Sequence, residues 1–287
     1  MASRWAVLAG HVRLTHPFPS VLDGLVAGGA AMLAGAGLEV GLRLGASMIL
    51  LQASVGALND FVDAPRDAGL KPGKPIPAGL VEPAAARIIA VVAGVSGIAL
   101  AVPSGPAVVA LAGFLLGLGY AYDLRLKGTP WSWVAFALAI PLFPTYGWLG
   151  ATGALPAIWV VVLPTAMLAG AALAISNAGV DVERDRAAGI ASVATHLGRV
   201  RAWAIHVVLL ATVVSIAVLS LMAGGGGGWH GVGVLAAGGA VAVGAAWARD
   251  VDPARRERGW ELEAIGMGLL AAAWLAGAVA AGLTGGG

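Results

Sequence analysis

Nine apolar segments, at 19–37, 39–58, 83–102, 105–122, 129–149, 154–178, 200–223, 229–248 and 260–283, fill most of the sequence. Each is close to the ~20 residues that a helix needs to cross the hydrocarbon of a bilayer. Inside lipid the backbone must satisfy its own hydrogen bonds, so a succession of such segments predicts spanning helices. The polar residues agree. Only 11% of the 287 residues are Asp, Glu, Lys or Arg, where about a quarter is usual in a soluble domain. The chain is therefore expected to be an all-α integral membrane protein with nine transmembrane helices. It has no Cys, which excludes disulfides and thiolate metal sites. The N-terminal stretch does not read as a signal peptide, because His11 and Arg13 interrupt a short apolar run. Glycines recur within the spans. Gly24 with Gly28, and Gly113 with Gly117, have the spacing that lets helices approach closely in lipid.

Threading nine spans places the N-terminus and the segments near 59–82, 123–128, 179–199 and 249–259 on one side. That side receives all 17 Lys and Arg except Arg43, so the positive-inside rule makes it cytoplasmic and puts the C-terminus opposite. The opposite connections are short, and Gly224–Gly228 reads as a flexible external loop. All 15 Asp and Glu except Glu39 also fall on the cytoplasmic side, which the rule does not demand.

The acidic residues follow a spacing. In LNDFVDAPRDAGLKPGKPIPAG, Asn59, Asp63 and Asp67 stand at intervals of four, with Asp60 adjacent. In SNAGVDVERDRAAG, Asn177, Asp181 and Asp185 repeat the interval, with Glu183 between. The first cluster ends the second span and the second ends the sixth. The two spans are four places apart in the order, an even number, so both helices run in the same direction. This predicts a parallel internal repeat of about four helices, plus a ninth, within a single membrane-embedded domain over 1–287.

Residues four apart share a helix face at about 6 Å per step. Each cluster then makes a column of one amide and two carboxylates, whose like charges repel. The column also lies at a helix C-terminus, where the macrodipole is already negative. A cation is needed to offset both effects. Mg²⁺ fits, because it takes oxygen ligands, accepts one or two carboxylates and completes its shell with water and phosphate oxygens. Two matched clusters suggest two metal sites holding one diphosphate leaving group. A solvated acidic loop would account for one such cluster more readily than for two. The metal-binding candidates are Asn59, Asp60, Asp63, Asp67, Asn177, Asp181 and Asp185, and Asp63, Asp67, Asp181 and Asp185 are the catalytic ones.

Cations accompany the clusters. Lys71 and Lys74 lie in KPGKPIPAG, a loop stiffened by Pro72, Pro75 and Pro77. Arg125 and Lys127 lie in YAYDLRLKGTP. These can contact diphosphate oxygens. Arg184, Arg186, Arg199, Arg201 and the RRER run at Arg255–Arg258 read as positive-inside residues alone.

NDFVDAPRD, KPIPAG, YDLRLK and DVERDRAAG, in this order, resemble the UbiA-type superfamily of intramembrane prenyltransferases. The resemblance spans the chain. It implies a bundle around a central apolar chamber, with the active site at the cytoplasmic side. It also implies Mg²⁺-dependent transfer of a prenyl group from a prenyl diphosphate to an acceptor, usually aromatic, with release of diphosphate. Asn59, Asp60, Asp63 and Asp67 match its first motif, Asp181 and Asp185 its second, and Tyr122 and Lys127 its Tyr-then-Lys motif. Two positions depart from it. Many members have Arg-Pro where this chain has Lys74-Pro75, which keeps the charge and loses the bidentate fork. Many also have Arg-Pro where this chain has His16-Pro17, near the acceptor end. His16 and Asp23 are accordingly acceptor-binding candidates.

The resulting expectation is a Mg²⁺-dependent prenyltransferase of the cell inner membrane, acting on a small aromatic acceptor in quinone or related lipid biosynthesis. Lys74, Arg125, Lys127 and Tyr122 would bind the diphosphate, and the faces of Tyr122 or Tyr146 would stabilise an allylic cation. Two alternatives share the fold: a terpene cyclase, and prenyl transfer to a glycerol-phosphate lipid. A secondary transporter fits less well, since its carboxylates belong near the midplane on broken helices of inverted repeats. Besides prenyl diphosphate, acceptor and bilayer, no nucleic acid and no obligate protein partner are expected. His206 is expected to be a hydrogen-bonded interior residue.

Overall fold

Helix is the only regular structure among the described residues of the computed structural model, which covers 3–225 and 228–285. In chain order the helices are α1 (Arg4–Leu14), α2 (Pro17–Leu33), α3 (Leu38–Leu70), α4 (Pro83–Ala101), α5 (Pro106–Ala121), α6 (Ser132–Ala139), α7 (Leu142–Thr152), α8 (Trp159–Val180), α9 (Val182–Ala187), α10 (Val193–Leu197), α11 (Arg199–Ala223), α12 (Gly228–Trp247) and α13 (Pro253–Ala280). Among the described residues, eight segments are long and apolar enough to cross a membrane: α3, α4, α5, the α6–α7 pair, α8, α11, α12 and α13. The ninth expected span is α2, an apolar helix of 17 residues. It rises only about 26 Å, slightly short of the ~30 Å core.

Three further differences from the sequence reading have physical causes. The helix expected to stop near 58 continues to Leu70, so the first acidic column lies within α3 instead of following it. At 33 residues, α3 is about 50 Å long, well beyond a bilayer core. The span expected over 129–149 breaks after Ala139, next to Pro141, which has no N–H to continue the ladder. An unexpected short helix, α1, precedes the first span. Of the Gly224–Gly228 loop, residues 226 and 227 lie outside the described residues.

The described chain divides into two compact units. The first comprises Met1–Arg125 and Tyr146–Gly153, and the second Leu126–Thr145 and Ala154–Gly287. In the first unit α3 packs between α2 and α4. Gly24 and Gly28 meet the α3 backbone so closely that a Cβ at either would fall within 2.8 Å of a carbonyl oxygen. A Cβ at Gly113 or Gly117 would meet nothing within 4 Å, so that pair is not a packing notch. The α3–α4 contact is fixed by two serines seven residues apart. Ser47 Oγ donates to Gly97 O at 2.6 Å and Ser54 Oγ to Ala90 O at 2.6 Å. Each hydroxyl, its hydrogen committed, then accepts from a tyrosine: Tyr146 on Ser47 and Tyr120 on Ser54. Tyr146 is fully enclosed, so it serves packing and presents no free face to a cation.

In the second unit α8 packs on α6, α11 and α13, and α12 lies along α13. Gly244 and Gly259 set that last contact, each meeting the other's carbonyl oxygen within 3 Å of a would-be Cβ. His206 is buried as expected, with Nε2 3.0 Å from Glu263 Oε2 on α13. Ile175, Val193 and Ala202 form a small core beneath the end of α8.

Candidate functional site

The first acidic cluster is buried. Asn59, Asp60, Asp63 and Asp67 each retain 8% exposure or less, on the last three turns of α3. Burying so many carboxylates is costly unless each is paired. Partners converge from three places. Lys74, on the loop after α3, brings Nζ to 2.7 Å from Asp60 Oδ1 and 3.1 Å from Asp67 Oδ2. His16 brings Nε2 to 3.1 Å from the same Asp60 oxygen. Arg66 bonds Asp63 at 2.8 Å. The solvated-loop reading is therefore excluded for this cluster.

Local structure sets up these contacts. The loop bearing Lys74 is pinned by Arg13, which donates to Gly73 O at 3.1 Å, and by Val81, buried with Leu14, Ala57, Ala86 and Ala90. His16 is the only non-glycine residue with positive φ among the described residues, at φ 47° and ψ 63°. This conformation is strained for an ordinary side chain. Gly56 makes room for the ring: a Cβ there would lie 3.0 Å from His16 Cγ. Burial pulls the Lys74 ammonium down, but the Asp60 and Asp67 carboxylates outweigh it and hold Lys74 above the ordinary lysine range. A raised lysine stabilises the fold below its unfolded value and loses that contribution only as pH rises through the folded one. Lys74 thus keeps its grip throughout the neutral range.

Asp123 belongs to this cluster and was missed from sequence. It is buried in the wide π-type turn Tyr122–Leu126, and accepts from Asn59 Nδ2 at 2.7 Å. Such turns inside or after α-helices are frequent at functional sites. The only cue was an aspartate inside the basic YDLRLK string. Tyr122 is half-buried and Arg125 exposed on the same turn. Asp23 is half-buried on α2, seven residues after His16.

The second cluster is built differently. Asn177 lies in α8, but α8 ends at Val180 and Asp181 is a break, with φ −102° and ψ 12°. Asp185 sits in the separate six-residue helix α9. The expected single helical column is thus interrupted, although the Asp185 N–H still reaches Asp181 O at 2.8 Å. Asn177, Asp181 and Asp185 are all half-exposed. Arg184 bonds Asp181 at 2.7 Å, at the same offset as Arg66 to Asp63. Lys127, half-buried, lies in this second unit.

Glu183 is held from two sides, by Arg199 on one oxygen and by Arg256 on the other at 2.5 Å. Burial raises its carboxyl, but its own backbone N–H and these two guanidiniums outweigh that and hold it below the usual carboxylate range. Arg256 and Arg199 are more than topology signals, contrary to the sequence reading.

Both clusters offer oxygen donors only, the set Mg²⁺ prefers. Among the described residues no three His, Asp or Glu side chains converge into a ready-made cage. Mg²⁺ does not require one, since one or two carboxylates suffice when water and phosphate oxygens complete its octahedron. In the first cluster four buried carboxylates, Asp60, Asp63, Asp67 and Asp123, outnumber the cations Lys74 and Arg66, which suits it chemically to a further cation.

Residues 24–267 match the UbiA prenyltransferase family. The chain is 33% identical over 234 residues to the digeranylgeranylglyceryl phosphate synthase of Methanoregula boonei, covering 79% of this chain and 81% of that one. Its fold matches the apo structure of a UbiA homologue from Aeropyrum pernix K1 with a TM-score of 0.73 at 17% identity, over 88% of this chain and 96% of the other. It also matches a UbiA homologue from Archaeoglobus fulgidus bound to DMAPP and Mg²⁺, with a TM-score of 0.64 at 21% identity, over 74% and 77%.

Proposed function

This chain belongs to the UbiA prenyltransferase family and is a membrane-embedded prenyltransferase, and from that premise we propose that it transfers a prenyl group from a prenyl diphosphate to a hydroxyl of a glycerol-phosphate lipid. The observation that carries the acceptor class is the similarity to a digeranylgeranylglyceryl phosphate synthase along four-fifths of that protein. It favours this class over the aromatic acceptor expected from the family resemblance alone. His16, standing where many members have arginine, accords with an acceptor that differs from theirs. The donor class and a divalent metal are supported by the relative bound to DMAPP and Mg²⁺.

Asp63, Asp67, Asp181 and Asp185 would hold Mg²⁺, with Asn59 and Asn177 as neutral oxygen donors beside them. Held there, Mg²⁺ would supply the positive charge that offsets the diphosphate leaving group. Asp60 shares one oxygen between His16 and Lys74, so its part is to orient the Lys74 ammonium. Lys74, Arg125, Lys127 and the Tyr122 hydroxyl donate to diphosphate oxygens. His16 and Asp23 orient the acceptor. Its hydroxyl oxygen bonds to the prenyl C1 as the C1–O bond to diphosphate breaks, and the hydroxyl proton passes to the released diphosphate. The placement of charge along the sequence supports a cytoplasmic site. The shared N-x-x-x-D-x-x-R-D string supports a parallel repeat built on α3 and α8.

The test is direct. Purified protein is incubated with geranylgeranyl diphosphate, Mg²⁺, and either geranylgeranylglyceryl phosphate, 4-hydroxybenzoate or no acceptor, and products are identified by mass spectrometry. The expected product is the doubly prenylated glycerol phosphate, and EDTA should stop its formation. Prenylated hydroxybenzoate alone would restore the aromatic reading, and a hydrocarbon or cyclic alcohol formed without acceptor would establish a cyclase.

A further inference from the structure

Arg256 is the most deeply buried cation in the second unit, at 2% exposure, and the reading of the second cluster gives it no task. It stands in the first turn of α13, within the RRER run. One of its terminal nitrogens donates to Asp250 O at 3.0 Å and Val251 O at 3.2 Å, which ties it to the turn before its own helix. The other donates to Val180 O at 2.7 Å and to Glu183 Oε2 at 2.5 Å. Val180 and Glu183 flank Asp181. A single guanidinium therefore holds the chain on both sides of the residue at which α8 breaks.

The physical need is clear. The last carbonyls of α8 have no intrahelical partner, and a cation at a helix C-terminus satisfies them and complements the dipole. Asp181 itself is half-exposed and its Arg184 pair lies at the surface, so neither burial nor helix continuity fixes it. A planar fork with several donors can bridge a carbonyl and a carboxylate at once, whereas an ammonium is a point charge without that geometry. Arg199 braces the other oxygen of Glu183 and also donates to the carbonyls of Arg249 and Asp250. The turn before α13 and the segment after α8 are thereby joined by two arginines and one glutamate.

We propose that Arg256, acting through Val180 and Glu183, is the positioning residue that sets Asp181 for diphosphate binding, and that α13, the helix left over by a four-helix repeat, braces the second acidic cluster. This rests on the reading of that cluster given under Proposed function.

The test is calorimetric binding of geranylgeranyl diphosphate with Mg²⁺, together with kcat and KM, for Arg256→Lys, Glu183→Gln, Asp181→Asn and the double variant Arg256→Lys/Asp181→Asn. Arg256→Lys should weaken binding and lower kcat by about 10- to 100-fold, the scale of a misplaced catalytic group, with KM for the acceptor unchanged. Glu183→Gln should do the same to a smaller degree. In the double variant Arg256→Lys should add little to Asp181→Asn, because residues acting through one another are not additive. Wild-type binding by a folded Arg256→Lys protein would overturn the proposal. So would an equal loss on both backgrounds, which is the signature of a general packing role. If Arg256→Lys does not fold, Glu183→Gln carries the same comparison. Normal diphosphate binding by Asp181→Asn would instead sink the second-cluster reading itself, and this proposal with it.

Discussion

The two acidic clusters share one string and almost nothing else. In α3 the column is continuous, buried, and contacted by a lysine and a histidine reaching in from other segments. At the end of α8 it is broken at Asp181, half-exposed, and held from outside by arginines on its flanks. A spacing of four residues fixes only the offset between carboxylates. How firmly they are held depends on what surrounds the helix end: the first cluster is stiffened by burial and the second by a brace. The difference predicts variants that behave alike in catalysis and unlike in stability.

The largest effect should not separate the clusters at all. Asp63→Asn and Asp181→Asn should each lower turnover by ~10²-fold or more, since under the proposed function each removes a carboxylate that would hold Mg²⁺ against the diphosphate. Both proteins should still insert and purify. Near-normal turnover in either, measured by product formation from prenyl diphosphate, would break the equivalence and remove that residue from the site.

Stability should separate them. Asp60→Asn takes from the partly buried Lys74 its shorter carboxylate contact and leaves it Asp67, so the loss should be about 2 kcal/mol. Asp181→Asn removes a pair with its Arg184 side chain 40% exposed, and should cost under about 1 kcal/mol. Detergent-denaturation titration of the two variants makes the comparison. Equal losses would mean that burial is not what distinguishes the clusters.

These contrasts show where sequence reading reached and where it stopped. The spans were legible because lipid permits few ways to bury a backbone, and the apolar runs record them. The acidic offsets were legible for the same local reason. The extension of α3 to Leu70 was not, because repelling carboxylates and Pro65 both argue against helix there. The contacts that overcome this come from outside the helix. Asp123 meets Asn59 across 64 residues, and Arg256 meets Val180 across 76. No local pattern encodes such pairs. Arg256 was read as a topology signal because, within RRER, nothing marks it off from its neighbours. The glycine pairs make the same point: identical spacing, with Gly24 and Gly28 on a tight interface and Gly113 and Gly117 on open surface.

The smallest expected effect concerns the one partner that both clusters share. Arg66 and Arg184 each stand three residues after the central aspartate, bond it at 2.8 and 2.7 Å, and are equally exposed at 40%. A solvated pair at this spacing contributes a few tenths of a kcal/mol, so Arg184→Gln should move stability by less than about 0.5 kcal/mol, whereas Arg66→Gln takes a partner from the buried Asp63 and should cost about 1 kcal/mol. If these aspartates hold the metal as proposed, each arginine competes with it. Freeing Asp181 should therefore lower the Mg²⁺ concentration needed for half-maximal turnover by about twofold, the equivalent of its pair energy, and freeing the buried Asp63 should lower it further. A Mg²⁺ titration of turnover for the two variants measures this. A tenfold loss of turnover in both would instead mean that the arginines move from aspartate to diphosphate during the reaction. A loss in one alone would mean that the clusters differ in chemistry as well as in how they are held.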